Sequence, residues 1–311
     1  GVTITYAPGY DLRSPHIDVD AIAAARETAA TADRAVVFIG LTEMFESEGF
    51  DRDHLRIPEN HVALLEAVCD VQKNVVVVLS NGAPIEMPWV DRPAAILEAY
   101  LSGEATGGAL ADILFGEVSP SGKLAETFPK RLHDTPAFLH YPGTRSRVEY
   151  REGVFVGYRY YDSVDREPLF PFGHGLSYTT FDYSDLRVSR KRFRSDESVD
   201  VYVTITNAGA MRAREIVQLY VGSDDASVER PVQELKGFTA VELEPRESRT
   251  VTFTLPPRAF AYWSDQLDRW FVEAGRYQLR VGASSRDIRL TGSVEIRSRE
   301  RSKPVYDLNS T

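Results

Sequence analysis

Four carboxylates stand within nine residues of this sequence: Glu43, Glu46, Glu48 and Asp51, in the stretch Gly40-Leu41-Thr42-Glu43-Met44-Phe45-Glu46-Ser47-Glu48-Gly49-Phe50-Asp51-Arg52. Crowded carboxylates raise one another's pKa values, and a glutamic acid kept protonated near neutral pH can serve as a general acid. The stretch follows the apolar run Ala35-Val36-Val37-Phe38-Ile39, and open α/β sheets bind ligands outside the carboxyl ends of their strands. Gly49 lets the backbone bend there and a ligand come close. A chain with 46 Asp and Glu residues also produces acidic loops whose only role is solvation, and pattern alone leaves both readings open.

Other chemistries find less support. The junction Gly40-Leu41-Thr42 lacks the Gly-x-Gly-x-x-Gly spacing of a dinucleotide site, and no serine sits in a Gly-x-Ser-x-Gly elbow. The six histidines, at 16, 54, 61, 133, 140 and 174, form no cluster with cysteine, so neither a cofactor nor a structural zinc ion is expected. Cys69 is the only cysteine, which excludes an intrachain disulfide. Its place in the helical pattern with Val62, Leu65 and Val68 reads as a small buried hydrophobe. A net charge of −10 and a pI near 5.2 argue against nucleic acid as a partner. The short basic stretch Arg187, Arg190, Lys191, Arg192, Arg194 reads as a solvated strand edge or linker. The longest aliphatic run, Val75 to Leu79, is far short of the roughly 20 apolar residues that a membrane-spanning helix needs. A neutral substrate such as a sugar fits this balance better than a polyanion or a lipid surface.

The elements that must position the acidic loop follow from the periodicity. Residues 1–135 alternate apolar runs with helical patterns, as a parallel α/β layer does. Asp18 or Asp20 can cap a helix running to about Ala32; a second helix spans about Asn60 to Gln72 and a third Gly107 to Phe115, closed by Gly116. Strands are expected at Ala35–Ile39, Val75–Leu79 and near Ala95–Leu97, the first unbroken in apolarity as though helices covered both faces. The unit reads as truncated at its N-terminal end, with an initial strand missing. Residues 136–180 form an irregular bridging segment whose aromatic residues, Tyr150, Phe155, Tyr158, Tyr160, Tyr161, Phe170 and Phe172, carry too much apolar area to leave in water. From 181 to 298 the period becomes two, as in Val199, Val201, Val203, Ile205, then Val251, Phe253, Leu255, then Tyr277, Leu279, Val281, which predicts a β-sandwich of the fibronectin type III kind. Residues 299–311 read as a C-terminal tail.

Four ordered motifs carry a resemblance. Glu46-Ser47-Glu48-Gly49-Phe50-Asp51-Arg52 resembles the acid/base loop of glycoside hydrolase family 3, in which the glutamate before the glycine, Glu48 here, protonates the glycosidic oxygen. The run Gly103 to Gly116 with Pro120-Ser121-Gly122-Lys123-Leu124 and Thr127-Phe128-Pro129 is similar to the family's helix and turn. Glu152 to Asp162 resembles its bridging segment, and Pro171-Phe172-Gly173-His174-Gly175-Leu176-Ser177-Tyr178-Thr179 the junction before its fibronectin-like module.

The resemblance implies an α/β/α sandwich layer followed by an all-β fibronectin type III-like domain, together the C-terminal portion of a retaining β-glycosidase. It also implies that the aspartate nucleophile lies on a preceding (β/α)8 barrel that this chain lacks, so that the missing barrel is the partner and the chain alone is inactive. The expected substrate is a β-linked glucoside, with β-xylosidase or a non-catalytic carbohydrate-binding module as the alternatives. In this frame Phe45 is a candidate wall for the sugar ring or aglycone, with core packing equally open. Arg52 and Asp51 are expected to pair and hold the loop, His174 to be a hydrogen-bonded junction residue, and the motif glycines to serve turns and packing.

Overall fold

The computed structural model describes residues 1–144 and 147–298; the expected tail at 299–311 lies outside the described residues. The chain divides into two compact units, Gly1–Leu110 with Phe128–Phe138, and Ala111–Thr127 with Leu139 onward.

In the first unit, α1 (Val19–Ala30) begins where the Asp18 carboxylate accepts from the backbone N–H groups of Asp20 and Ala21, at 3.1 and 2.9 Å, satisfying two donors that the first turn leaves free. β1 (Ala35–Gly40) follows, then α2 (Glu59–Val71), β2 (Val75–Ser80), β3 (Ala95–Glu98) and α3 (Thr106–Leu114), the helix in which the division between the units falls. The sheet runs β1-β2-β3, parallel throughout, with Ala35 opposite Val75 and Val76 opposite Ala95. Leu64, Leu65, Val68 and Cys69 recur at helical spacing on α2 and are buried, as are Val37 and Ile39 of β1 and Val75, Val77, Val78 and Leu79 of β2. Each such side chain contributes about 1.5–3 kcal/mol of burial. The Gln72 amide at the end of α2 donates to the Ala29 and Ala32 carbonyls at 3.2 and 2.6 Å, tying together the C-terminal ends of α1 and α2.

Apolarity unbroken along β1 suggested cover on both faces, but Val36 and Phe38 are 41% and 53% exposed. Parallel strands alternate their side chains, and among the described residues only the Val37 and Ile39 side is covered.

After the last residues of α3, the second unit carries α4 (Tyr158–Ser163), then β4 (Phe181–Val188), β5 (Arg192–Arg194), β6 (Val199–Asn207), β7 (Ala213–Ser223), β8 (Glu234–Leu243), β9 (Ser248–Leu255), β10 (Tyr262–Ser264), β11 (Arg269–Phe271), β12 (Gly275–Gly282) and β13 (Ile288–Arg297). A five-stranded sheet, β5-β13-β12-β7-β8, faces a three-stranded one, β4-β6-β9, across a core that includes Val199, Val201, Val203, Ile205, Leu219, Leu243, Tyr277 and Leu279. The period of two marks these residues because successive strand side chains point to opposite faces. The basic stretch runs from Arg187 near the end of β4 to edge strand β5, where Arg190 pairs with Glu197 and Arg192 with Glu295 at 3.2 and 2.8 Å.

The bridging segment is laid over this sandwich. Tyr158 stacks on Phe172 at 4.7 Å, meets Tyr220 edge-on, and accepts from Leu235 N at 2.7 Å through its hydroxyl. Asp162 accepts from Arg286 at 2.6 Å and from Gln233 at 2.9 Å. Tyr150 departs from the expectation: it is 82% exposed, in the stretch before Gly157 turns the chain into α4 at φ 58°. Among the described residues no helix is long and apolar enough to cross a membrane.

Asn207 closes the turn after β6. Fully buried, its side-chain carbonyl accepts from the Thr179 hydroxyl and Gly209 N at 2.7 and 3.1 Å, and its amide donates to the Met211 and Leu243 carbonyls at 2.8 and 3.1 Å. Asn207→Ala strands buried donors and acceptors, and is expected to lower the sandwich's stability in urea unfolding by about 2–3 kcal/mol; an unchanged midpoint would show that water replaces the amide.

Candidate active site

The acidic loop is fixed at its root by close packing. Gly40, the last residue of β1, runs so near β2 that a Cβ there would stand 1.9 Å from the Ser80 carbonyl oxygen. Leu41 N then donates to that same oxygen at 2.9 Å. Gly40 N donates to Nδ1 of His61, a residue of α2 that is 2% exposed and whose ring lies 3.8 Å from that of Tyr10. Burial pushes His61 down to about 4, so the ring is neutral and able to accept.

Beyond the root the loop makes a tight turn, in which Phe45 N and Glu46 N both donate to Thr42 O at 2.8 and 3.0 Å. It then forms a short hairpin, with Ser47 and Phe50 bridged antiparallel and Glu48-Gly49 at the tip. The Ser47 hydroxyl accepts from Gly49 N at 3.3 Å.

The two glutamates that spacing alone could not separate differ in environment. Glu46 is turned onto the loop that follows β2: Oε2 accepts from Gly82 N at 2.7 Å, and Oε1 lies 3.8 Å from Arg52 Nη1. Arg52 also donates to Pro84 O at 3.3 Å, so both side chains of this pair bind one neighbouring loop. Asp51 was the expected partner of Arg52; Glu46 is a carboxylate that meets it in the fold. Glu48, two residues on, is exposed and makes no hydrogen bond or ion pair among the described residues. Phe45 is half-buried, whereas Met44 and Phe50 stand more than 45% exposed on either side of the hairpin.

Sequence reading passed over the supports of the loop. Asn81, fully buried, donates to Glu98 Oε2 at 3.2 Å and to Ala83 O at 3.0 Å, while Glu98 Oε1 accepts from Tyr100 N at 2.9 Å. The chain segments leaving β1, β2 and β3 are thereby laced together at one end of the sheet. The signal was present as Ser80-Asn81-Gly82, a strand end followed by turn residues, but only the fold reveals that Gly82 receives a carboxylate from Glu46. His174, in the second unit, stacks on Phe170 at 5.3 Å; burial and the nearby Lys123 lower its pKa, and its backbone carbonyl accepts from Leu124 N.

Comparison with known proteins gives the family of the chain. Residues 10–178 match the glycosyl hydrolase family 3 C-terminal domain, and residues 215–285 a fibronectin type III-like domain. The chain belongs to glycoside hydrolase family 3. It is 54% identical over 309 residues to the thermostable beta-glucosidase B of Acetivibrio thermocellus, covering 99% of this chain and 41% of that protein. It is 46% identical to the exo-alpha-(1->6)-L-arabinopyranosidase of Bifidobacterium breve, covering 99% of this chain and 40% of that one. Among solved structures it resembles the Bifidobacterium adolescentis GH3 beta-glucosidase with a TM-score of 0.94 and 46% identity, over 99% of this chain and 46% of the other. The chain thus spans about two fifths of the length of the curated relatives it matches. Its two parts are the family's C-terminal domain, a mixed α/β unit, and a fibronectin type III-like sandwich.

His61 makes the loop root sensitive to acid. Its folded pKa of about 4 lies below the ordinary 6.5, so between those values the unfolded chain binds the extra proton. Stability is therefore full above pH 6.5 and lost as pH falls towards 4, by about 3 kcal/mol at most. Urea midpoints measured across that window should show the loss in the native chain and a flatter profile in His61→Gln; parallel profiles would rule this group out as the origin.

Proposed function

We propose that this chain supplies the general acid/base carboxyl, Glu48, to a retaining exo-acting β-glycosidase, a β-glucosidase, whose aspartate nucleophile lies on a (β/α)8 barrel outside these 311 residues. The observation that carries the assignment is the division of labour between Glu46 and Glu48. One carboxylate is committed to a backbone N–H and an arginine, the other is held out at a hairpin tip with its oxygens free. The names of the relatives and the share of their length that this chain covers support both the activity and the missing part.

In a retaining reaction the two carboxyl groups stand about 5–5.5 Å apart across the glycosidic bond. Glu48 would first donate its proton to the leaving oxygen as the nucleophile attacks the anomeric carbon. It would then take a proton from the water that releases the sugar. The hairpin suits this role because its root is rigid at Gly40 and Glu46 while its tip projects from the unit. Phe45 would wall the sugar or aglycone with whatever part of its ring stays uncovered. Phe50 offers more free surface beside the acid. On this assignment the chain alone turns over no glycoside. The name of the Bifidobacterium breve relative favours a second reading, an α-linked L-arabinopyranoside substrate.

The test uses the chain joined to its barrel. Glu48→Gln should slow hydrolysis of 4-nitrophenyl β-D-glucoside by about 10²–10⁴-fold, the usual worth of a positioned proton donor, with azide restoring part of the rate on an activated aryl glycoside. Glu46→Gln keeps an acceptor for Gly82 N and should cost far less. An undiminished rate for Glu48→Gln would sink the assignment, and turnover by the 311-residue chain alone would sink the split site.

A further inference from the structure

Within the second unit, β10 and β11 form a two-stranded hairpin that belongs to neither sheet of the sandwich. Trp263 and Trp270 face each other across it, edge to face with ring centroids 5.7 Å apart, and are 47% and 44% exposed. Indole rings bring large apolar area, and a hairpin that leaves two of them half in water gains little core from either. The hairpin walls a cleft of about 610 Å³, within the range of small-ligand sites and too small for a folded partner.

The floor of the cleft is cationic. Glu234 is approached by Lys236 at 3.2 Å, Arg230 at 3.3 Å and Arg159 at 3.4 Å, and three of these four side chains are less than a fifth exposed. One carboxylate thus serves three cations. Burial, together with the like charges of Arg230 and Arg159, holds the Lys236 ammonium below the ordinary lysine range. Arg258 adds a fourth cation, its guanidinium lying 3.2 Å over the Trp270 ring, so its planar fork is pre-positioned for an oxygen pair. The further carboxylate of the lining, Glu229, is exposed at the rim.

An aromatic wall beside an under-neutralised cationic floor matches a ligand with an apolar face and a carboxylate on the same ring. We propose that this cleft binds an acidic saccharide, a chain bearing uronic acid residues, with a sugar face on Trp263 and a carboxylate between Arg258, which is stacked on Trp270, and the Arg159, Arg230 and Lys236 cluster. The site needs neither Glu48 nor the barrel, and its success or failure is separate from theirs.

The experiment is calorimetric titration of the 311-residue chain with trigalacturonate, cellotriose and hexaglutamate. Trigalacturonate should bind saturably and more weakly as salt is added, with cellotriose and hexaglutamate each at least about tenfold weaker, since each lacks one of the two recognition elements. Trp263→Ala and Arg258→Met should each weaken trigalacturonate binding by roughly tenfold, while Trp263→Phe keeps most of it and shows that the hairpin still folds. Equal binding of cellotriose would remove the cationic half of the proposal, and equal binding of hexaglutamate the saccharide half. Absence of binding, or variants that bind like the native chain, would overturn the proposal altogether.

Discussion

The hydrogen bond from Gly82 N to the Glu46 carboxylate is the contact on which the geometry of the acidic loop depends. It is charge-assisted and short at 2.7 Å, the class of hydrogen bond that contributes most. The approach is close: a Cβ at 82 would stand 3.1 Å from the receiving oxygen, so a larger residue there would push the carboxylate back by a few tenths of an ångström. The same carboxylate draws in Arg52, whose second contact, on Pro84 O, binds the hairpin's far strand to the same neighbour. Both strands of the hairpin are therefore anchored to the loop after β2. The direction in which Ser47 to Phe50 project is set by the sheet beneath and not by the hairpin's own weak pairing.

That dependence reaches down to the strand register. Gly40 opposite Ser80 is the last pair of the β1–β2 ladder, and the missing side chain at 40 lets the two strands stay in contact to their ends. His61 closes the third side by accepting from Gly40 N. A neutral imidazole is required there, because a protonated ring has no lone pair at Nδ1 to receive an N–H. Packing of α2, through Leu64, Leu65 and Val68, thereby becomes a condition for the placement of a loop that lies several residues beyond the strand.

The elements of both units were legible because burial imposes a period. Helical spacing marked α2, alternation marked β6, and Asp18 capped α1 as its side-chain chemistry suggested. Cover was not legible: continuous apolarity along β1 cannot distinguish a strand buried on both faces from one with Val36 and Phe38 exposed. In the acidic loop spacing displayed four carboxylates without ranking them, and only the family resemblance, through the glycine that follows it, set Glu48 apart from Glu46. The fold adds a difference in environment, the Gly82 N–H that Glu46 accepts from, 36 positions away in the chain, a long-range fact that no local pattern holds. Nor did sequence adjacency show that Arg52 would also meet Glu46, six positions before it.

On the proposed assignment, the exposure of Glu48 sets a condition on the complete site. A general acid must be neutral when the leaving oxygen needs a proton, and the forces that favour a neutral carboxyl are desolvation and a nearby like charge. Glu46 is a poor source of the second, since its charge is met by Arg52 and a backbone N–H. The tip itself is open to water. The surface that closes over Glu48 must then do two things at once, bringing a nucleophilic carboxylate to about 5–5.5 Å and excluding water from the acid. A retaining mechanism couples these, because the same carboxylate that attacks the sugar is also the like charge that favours the proton on Glu48. Division of the site between a rigid-rooted hairpin and a separate nucleophile-bearing surface thus ties the acid's protonation to assembly.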